Sequence, residues 1–234
     1  EALAGHIRWL READFVDDSL KESLGGRAAR MLAEVLEQLE ANRRANAGRV
    51  HFLMDRDGRP MQVTEDGSVA PMDFDPDSPA TNTEMFYVKG LVAAAATLGQ
   101  ESRVHEACEW YRRIHADIAA GRLASDQQRL DPKNPATRPV AGRRSHGPKM
   151  LGLGAIACFM EYTGWIEWAE YGLGYLDDIL ASHVNLGEQD ELARTYDMWE
   201  FVAEDGSPWL DADGALLSDP GHSTEFVGLA LKPL

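Results

Sequence analysis

Cysteine is scarce in this chain, with two residues, Cys108 and Cys158, among 234. Each lies inside an apolar helical pattern, which excludes a disulfide scaffold and a thiolate zinc site and reads as small buried hydrophobes of a reducing compartment. The cytoplasm is the expected location. Positive charge is short as well: 23 Lys and Arg against 39 Asp and Glu leave a formal net charge of −16. Without a basic surface to displace counterions from phosphates, neither nucleic acid nor an anionic membrane is expected as a partner. The chain has no apolar run long enough to span a bilayer, no signal peptide and no lipidation motif. Its seven histidines are scattered, with no i, i+4 pair beside an acid, so the spacing indicates no metal. Gly152-Leu153-Gly154 follows a helix start rather than a strand, which removes the phosphate-cradle reading. No cofactor is expected.

What is present is ordinary globular material, 44% hydrophobic and 26% charged, enough for a well-buried core and too apolar for disorder. The pattern predicts a single domain over 1–234. Apolar positions at Leu3, Ile7, Leu10 and Phe15 predict a first helix. A second is expected from about Arg27 to Asn42, with Met31, Val35, Leu36 and Leu39 on its core face. Gly48 to Met54, the turn Asp55-Arg56-Asp57-Gly58 and the returning Pro60 to Val63 predict a small hairpin, followed by a loop over 66–81. Thr81-Asn82-Thr83-Glu84 predicts a capped helix ended by Gly99, and further helices are expected at about Ser102–Ala120, Pro148–Tyr162 and Ile166–Ser182. The polar segment 121–145 is longer than a compact connection needs and reads as a functional or mobile loop, a candidate lid. Extended pieces are expected around Trp199-Glu200-Phe201-Val202, with Asp-Gly turns at Asp205-Gly206 and Asp213-Gly214. Helices in pairs with short β excursions give an all-α fold.

Near the C-terminus, Asp219 is a good N-cap and Pro220 has the φ of a first helical residue, so a helix starts there. His222 and Glu225 then project from one face. In the first turn the helix dipole disfavours imidazolium, and a neutral imidazole beside a carboxylate is what a general base needs. The bland alternative is a capped amphipathic helix with an incidental histidine. Glu84 and Glu200 are candidates for lining a pocket, against capping and solvation; His183 is a candidate substrate contact, against packing at a helix C-terminus where a cation is favoured. His51 faces pocket or solvent with equal ease. Trp165, Trp168, Trp199 and Trp209 suit stacking on a ligand, although large aromatics more often fill a core.

Three separated stretches resemble the N-acylglucosamine 2-epimerase family, which includes cellobiose 2-epimerases and aldose–ketose isomerases. They are Val50 to Pro60 with Thr83-Glu84-Met85-Phe86, then Asp178 to Val184 with Trp199-Glu200-Phe201-Val202, and last Asp219-Pro220-Gly221-His222-Ser223-Thr224-Glu225. The last is similar to the family's proline-glycine-histidine-x-x-glutamate signature. The resemblance implies an (α/α)6 barrel of helical hairpins around a central pocket and a cofactor-independent epimerisation or isomerisation through an enediolate. It implies an acid/base role for His222 and, for Glu225, polarising that histidine or binding sugar. A free monosaccharide, of the N-acylhexosamine or mannose type, is the implied partner, and a homodimer is compatible with it. The family's second histidine and early aromatic-motif arginine have no counterpart in this chain, which begins at Glu1 and ends at Leu234 with fewer helices than a closed barrel needs, so it reads as part of a barrel. Gly147, Lys149 and Leu151 stand where disaccharide-epimerising members carry asparagine and histidines, which argues against a disaccharide. Two other readings stay open: a non-catalytic carbohydrate-binding or protein-interaction homologue, and a hydrolase with two carboxylates flanking a glycosidic bond.

Overall fold

The computed structural model describes residues 1–64, 66–127, 140–187 and 192–232. Residues 128–139 of the expected lid segment lie outside the described residues. The protein is mostly helical, with seven helices among the described residues and two small antiparallel strand pairs. No described helix is long and apolar enough to cross a membrane. Packing divides the chain into two compact units, Glu1–Asp117 with Arg122–Pro135 and Ile118–Gly121 with Ala136–Leu234.

In the first unit, α1 (Ala2–Glu12) and α2 (Asp18–Ala45) pack against each other and against α3 (Asn82–Thr97). Helix α2 starts nine residues before the expected Arg27, because Asp17 accepts from the backbone N–H groups of Ser19 and Leu20. Gly25 and Gly26, which signal a break, cost only about 1 kcal/mol each in a helix already nucleated. Its covered face matches expectation at Leu36 and differs elsewhere. Leu32, Leu36 and Glu40 are buried, whereas Met31, Val35 and Leu39 are exposed. Helical periodicity sets the spacing of a buried stripe, but two adjacent stripes satisfy it here and the neighbouring helices select one. Glu40 tolerates burial because Arg43 donates to both its oxygens at 3.0 and 2.9 Å and the Tyr87 hydroxyl donates to it as well. Helix α4 (Glu101–Ala119) is tied to this network through Arg43 to Glu106 at 2.9 Å and Arg103 to Glu37 at 2.7 Å.

Helix α3 carries the expected capping box: the Glu84 N–H donates to Thr81 Oγ1 at 3.3 Å and the Thr81 N–H to Glu84 Oε2 at 3.0 Å. It is apolar nearly all round and buries Glu84, Met85, Val88 and Leu91 to Ala95, with Phe86 exposed. The expected strand over Gly48–Met54 reduces to a single bridge, Met54 to Pro60; the expected returning strand forms as β1 (Met61–Val63), but its partner is β2 (Val69–Pro71), inside the expected loop.

In the second unit, α5 (Gly147–Thr163) and α6 (Glu167–His183) form a tight hairpin, with α7 (Pro220–Ala230) against α5. The hairpin turns at Gly164, whose φ of 70° lies in the left-handed region that glycine adopts without a Cβ penalty. A Cβ on Gly152 would sit 2.6 Å from the ring of the buried Tyr175, so glycine sets the approach of α5 to α6. Trp168 is fully buried against Phe159 and donates its indole N–H to Thr163 Oγ1 at 3.1 Å. Cys108 and Cys158 are both buried.

One turn construction recurs in both units. Backbone N–H to C=O bonds join Asp55 to Arg59, Thr64 to Ser68, Ala203 to Ser207 and Asp211 to Ala215 at 2.8–2.9 Å. In each, an aspartate Oδ1 (Asp55, Asp66, Asp205, Asp211) accepts from turn backbone N–H groups. In each, the fourth residue is a glycine at positive φ, Gly58, Gly67, Gly206 or Gly214. The Asp-Gly pairs are thus hairpin-closing devices, a structural use of acidic residues.

Candidate functional site

The site lies within the second unit and is assembled by backbone register. The strands β3 (Arg144–Ser145) and β4 (Phe201–Val202) pair antiparallel, with Arg144 opposite Val202 and Ser145 opposite Phe201. The next step of that register brings His146 to Glu200. On its other side Glu200 donates its backbone N–H to Leu217 O at 2.9 Å, and the chain from there reaches the α7 cap, Asp219. The preceding residue, Trp199, donates its N–H to His183 O at 3.0 Å, and His183 Nδ1 donates back to Trp199 O at 3.0 Å. Four segments distant in sequence therefore converge on a single carboxylate.

Glu200 is buried, at 8% exposure. Its two oxygens lie 3.0 and 3.1 Å from His222 Nδ1, and Oε1 lies 3.3 Å from His146 Nε2. Burial pushes the Glu200 carboxyl up, but the hydrogen bonds from His146 and His222 outweigh it, and its pKa is lowered. His222 is half-exposed, its side chain 48% accessible. Burial lowers its pKa, yet the Glu200 hydrogen bond and the charges of Glu200, Asp219 and Glu225 reverse that, so the pKa is raised. This corrects the expectation of an imidazole kept neutral by the helix dipole: a carboxylate in contact outweighs a partial charge spread over a helix end.

Helix α7 begins as expected, with Asp219 Oδ1 accepting from Gly221 N–H at 2.7 Å and His222 N–H at 3.2 Å. Glu225 is exposed on the same helix and contributes its charge, while the carboxylate bonded to His222 is Glu200. His183 ends α6 as expected, but it is 5% exposed and burial depresses its pKa to about 4, so it is a neutral core imidazole rather than a cation on the helix dipole. Its ring meets His146 edge-on at 5.3 Å between centroids. Glu84 belongs to the first unit, where Arg49 pairs with it at 2.7 Å and Thr81 completes its capping box. In that unit His51 packs on Phe74 with centroids 4.4 Å apart. Trp199 is spent on structure, its indole donating to Ser182 O at 3.0 Å, and Trp165 stacks on Trp168.

His146 is the residue that spacing does not single out. It is 1% exposed and precedes α5 at Gly147-Pro148, the mirror order of Pro220-Gly221-His222. A histidine at a helix start beside a Gly/Pro pair, occurring twice, is the signal that points to it. The donor atoms of His146, Glu200 and His222 lie within 4.8 Å of one another, near enough on distance to share a cation. A ligating imidazole ordinarily hands its second N–H to an acceptor, however, and His146 Nδ1 is buried without a hydrogen-bond partner among the described residues. Proton sharing fits the three groups better. No family model matches the chain, and no curated protein matches it.

Proposed function

We propose that the chain is part of a cofactor-independent sugar 2-epimerase or aldose–ketose isomerase on an (α/α)6 barrel, acting on a free monosaccharide of the N-acylhexosamine or mannose type. The observation that carries this reading is the dyad: Glu200 holds Nδ1 of a half-exposed His222, leaving Nε2 for a substrate. The similarity of the three stretches to the epimerase family supports it. So does the placement of α3 and α5, apolar and buried nearly all round, between more amphipathic partners, as inner helices of a barrel are.

In this reading the neutral His222 Nε2 takes the proton from carbon 2 of the open-chain sugar. The C–H electron pair moves into the C1–C2 bond and the carbonyl oxygen takes the charge, giving an enediolate. Glu200 stabilises the imidazolium that forms. Returning a proton to the opposite face of carbon 2 yields the epimer, and returning it to carbon 1, with the O2 hydroxyl proton passed to O1, yields the ketose. His222 serves one face of this exchange, and a second group serves the other.

The test is deuterium entry at carbon 2 of candidate sugars in D₂O, with the complete protein. Wild type is expected to exchange, and His222→Ala to lose exchange by about 100-fold or more with the fold intact. A complete protein that labels no sugar sinks the epimerase reading. A second reading, a carbohydrate-binding homologue without catalysis, is favoured by the raised His222 pKa, which leaves less of the base form near neutrality. It predicts sugar binding without exchange.

A further inference from the structure

Glu200 has two histidine partners, and the dyad uses only one. His146 approaches from the other side, with its whole side chain out of solvent and its Nδ1 buried without a hydrogen-bond partner among the described residues. An orphaned N–H at that depth costs a full desolvation penalty, whereas an orphaned lone pair costs less. The hydrogen therefore sits on Nε2, and His146 is an obligate donor to Glu200 Oε1 at 3.3 Å. Its ring meets two others edge-on, His183 at 5.3 Å and His222 at 6.0 Å between centroids.

We propose that His146 is a positioning residue for His222: its Nε2–H anchors the Glu200 carboxylate and takes part of its charge, so that His222 is oriented without being bound to a full, undivided carboxylate. Whether this serves sugar chemistry rests on the reading above; the arrangement itself does not. The other groups that face these three are Asp219, 3.9 Å from His222 Nδ1, Glu225 on α7, and His183 on α6. Lys149 on α5 is close enough to act on His183 and is itself paired with Asp178 at 2.8 Å. Asp219 and Glu225 raise the proton affinity of His222 whether or not His146 is present, so removing His146 isolates the share taken from Glu200.

The test is an NMR titration of the His222 ring in wild type, His146→Leu and His146→Gln. In His146→Leu the Glu200 charge is no longer shared, and the His222 midpoint is expected to move up. His146→Gln restores an N–H donor and is expected to bring the midpoint back toward wild type. An unchanged midpoint in a folded His146→Leu, or a His146→Gln that behaves like His146→Leu, overturns the proposal. The wild-type protein alone offers a second measurement that survives a variant failing to fold: ¹⁵N shifts of His146 should show a pyridine-type Nδ1 and a protonated Nε2, and the reverse pattern overturns it. Neither readout uses a sugar, so a failed deuterium assay and a failed titration are distinguishable results.

Discussion

Glu84 and Glu200 are both nearly sealed from solvent, at 3% and 8% exposure, each in its own unit. Their partners differ in kind. Glu84 is held by a permanent cation, Arg49, whose guanidinium also binds the carbonyls of Pro76, Ser78 and Pro79 at 2.7–3.0 Å. Burial raises the Glu84 pKa, and Arg49, pulling the other way, does not cancel it. Glu200 is held by two imidazoles, and its pKa is lowered. A carboxylate fixed by arginine keeps one state over the physiological range and belongs to architecture. A carboxylate fixed by histidines shares protons with its partners and changes state with them, which is the property a proton-transfer site needs.

Three experiments stress that contrast, from large to small effect. Arg49→Ala leaves Glu84 buried without its countercharge and should cost about 3–5 kcal/mol in denaturant unfolding, since breaking a buried pair costs far more than the pair is worth. A loss under about 1 kcal/mol would show Glu84 to be as solvated as a surface residue.

Acid should act on His183 and Glu84 with opposite sign. His183, depressed from 6.5 to about 4, binds its proton in the unfolded chain first, so its contribution is present above pH 6.5 and is lost as pH falls toward 4. The loss amounts to about 3 kcal/mol at about 1.4 kcal/mol per pH unit. Glu84, with a raised pKa, runs the other way: its contribution is present below its unfolded value of 4.5 and is lost as pH rises through the raised folded value. His222, also raised, shares that sense, present below 6.5 and lost above its folded value. The urea-unfolding free energies of wild type and His183→Asn, compared at pH 7 and pH 4, isolate the His183 contribution. The acid loss should be about 3 kcal/mol smaller in the variant. Equal losses would contradict the depressed pKa.

Asp219→Ala removes two backbone acceptor contacts at the start of α7 and should cost about 1 kcal/mol. The matching cap in the first unit, Thr81→Ala, should cost about the same while leaving the His222 titration unmoved. Asp219→Ala should shift that titration down, because Asp219 raises the His222 pKa. An unmoved His222 in Asp219→Ala would remove the cap from the site's electrostatics.

Much of the architecture is legible from local chemistry. The capping box at Thr81 and Glu84, the Asp219-Pro220 helix start, the Gly164 turn and the Asp-Gly turns each rest on interactions within about five residues, which is the range over which sequence signals act. The face of α2 is not legible, because Met31-Val35-Leu39 and Leu32-Leu36-Glu40 are equally helical stripes and only the packing partners choose between them. At the site, His222 and Glu200 stand out as residues but not as a pair. His146 does not stand out, since its meaning comes from a strand register linking residue 145 to residue 201.

By itself, then, the sequence determined the helical class, the element starts and the presence of a histidine in the first turn of α7, all consequences of backbone propensity and short-range capping. Only the tertiary structure decided which carboxylate meets that histidine. Glu225, three residues away on the same helix, is exposed, while Glu200, brought in by β4 and anchored by His146, is the one in contact. The physical reason is desolvation: a carboxylate gains strong hold on an imidazole where water is excluded, and exclusion of water is a property of packing rather than of sequence spacing.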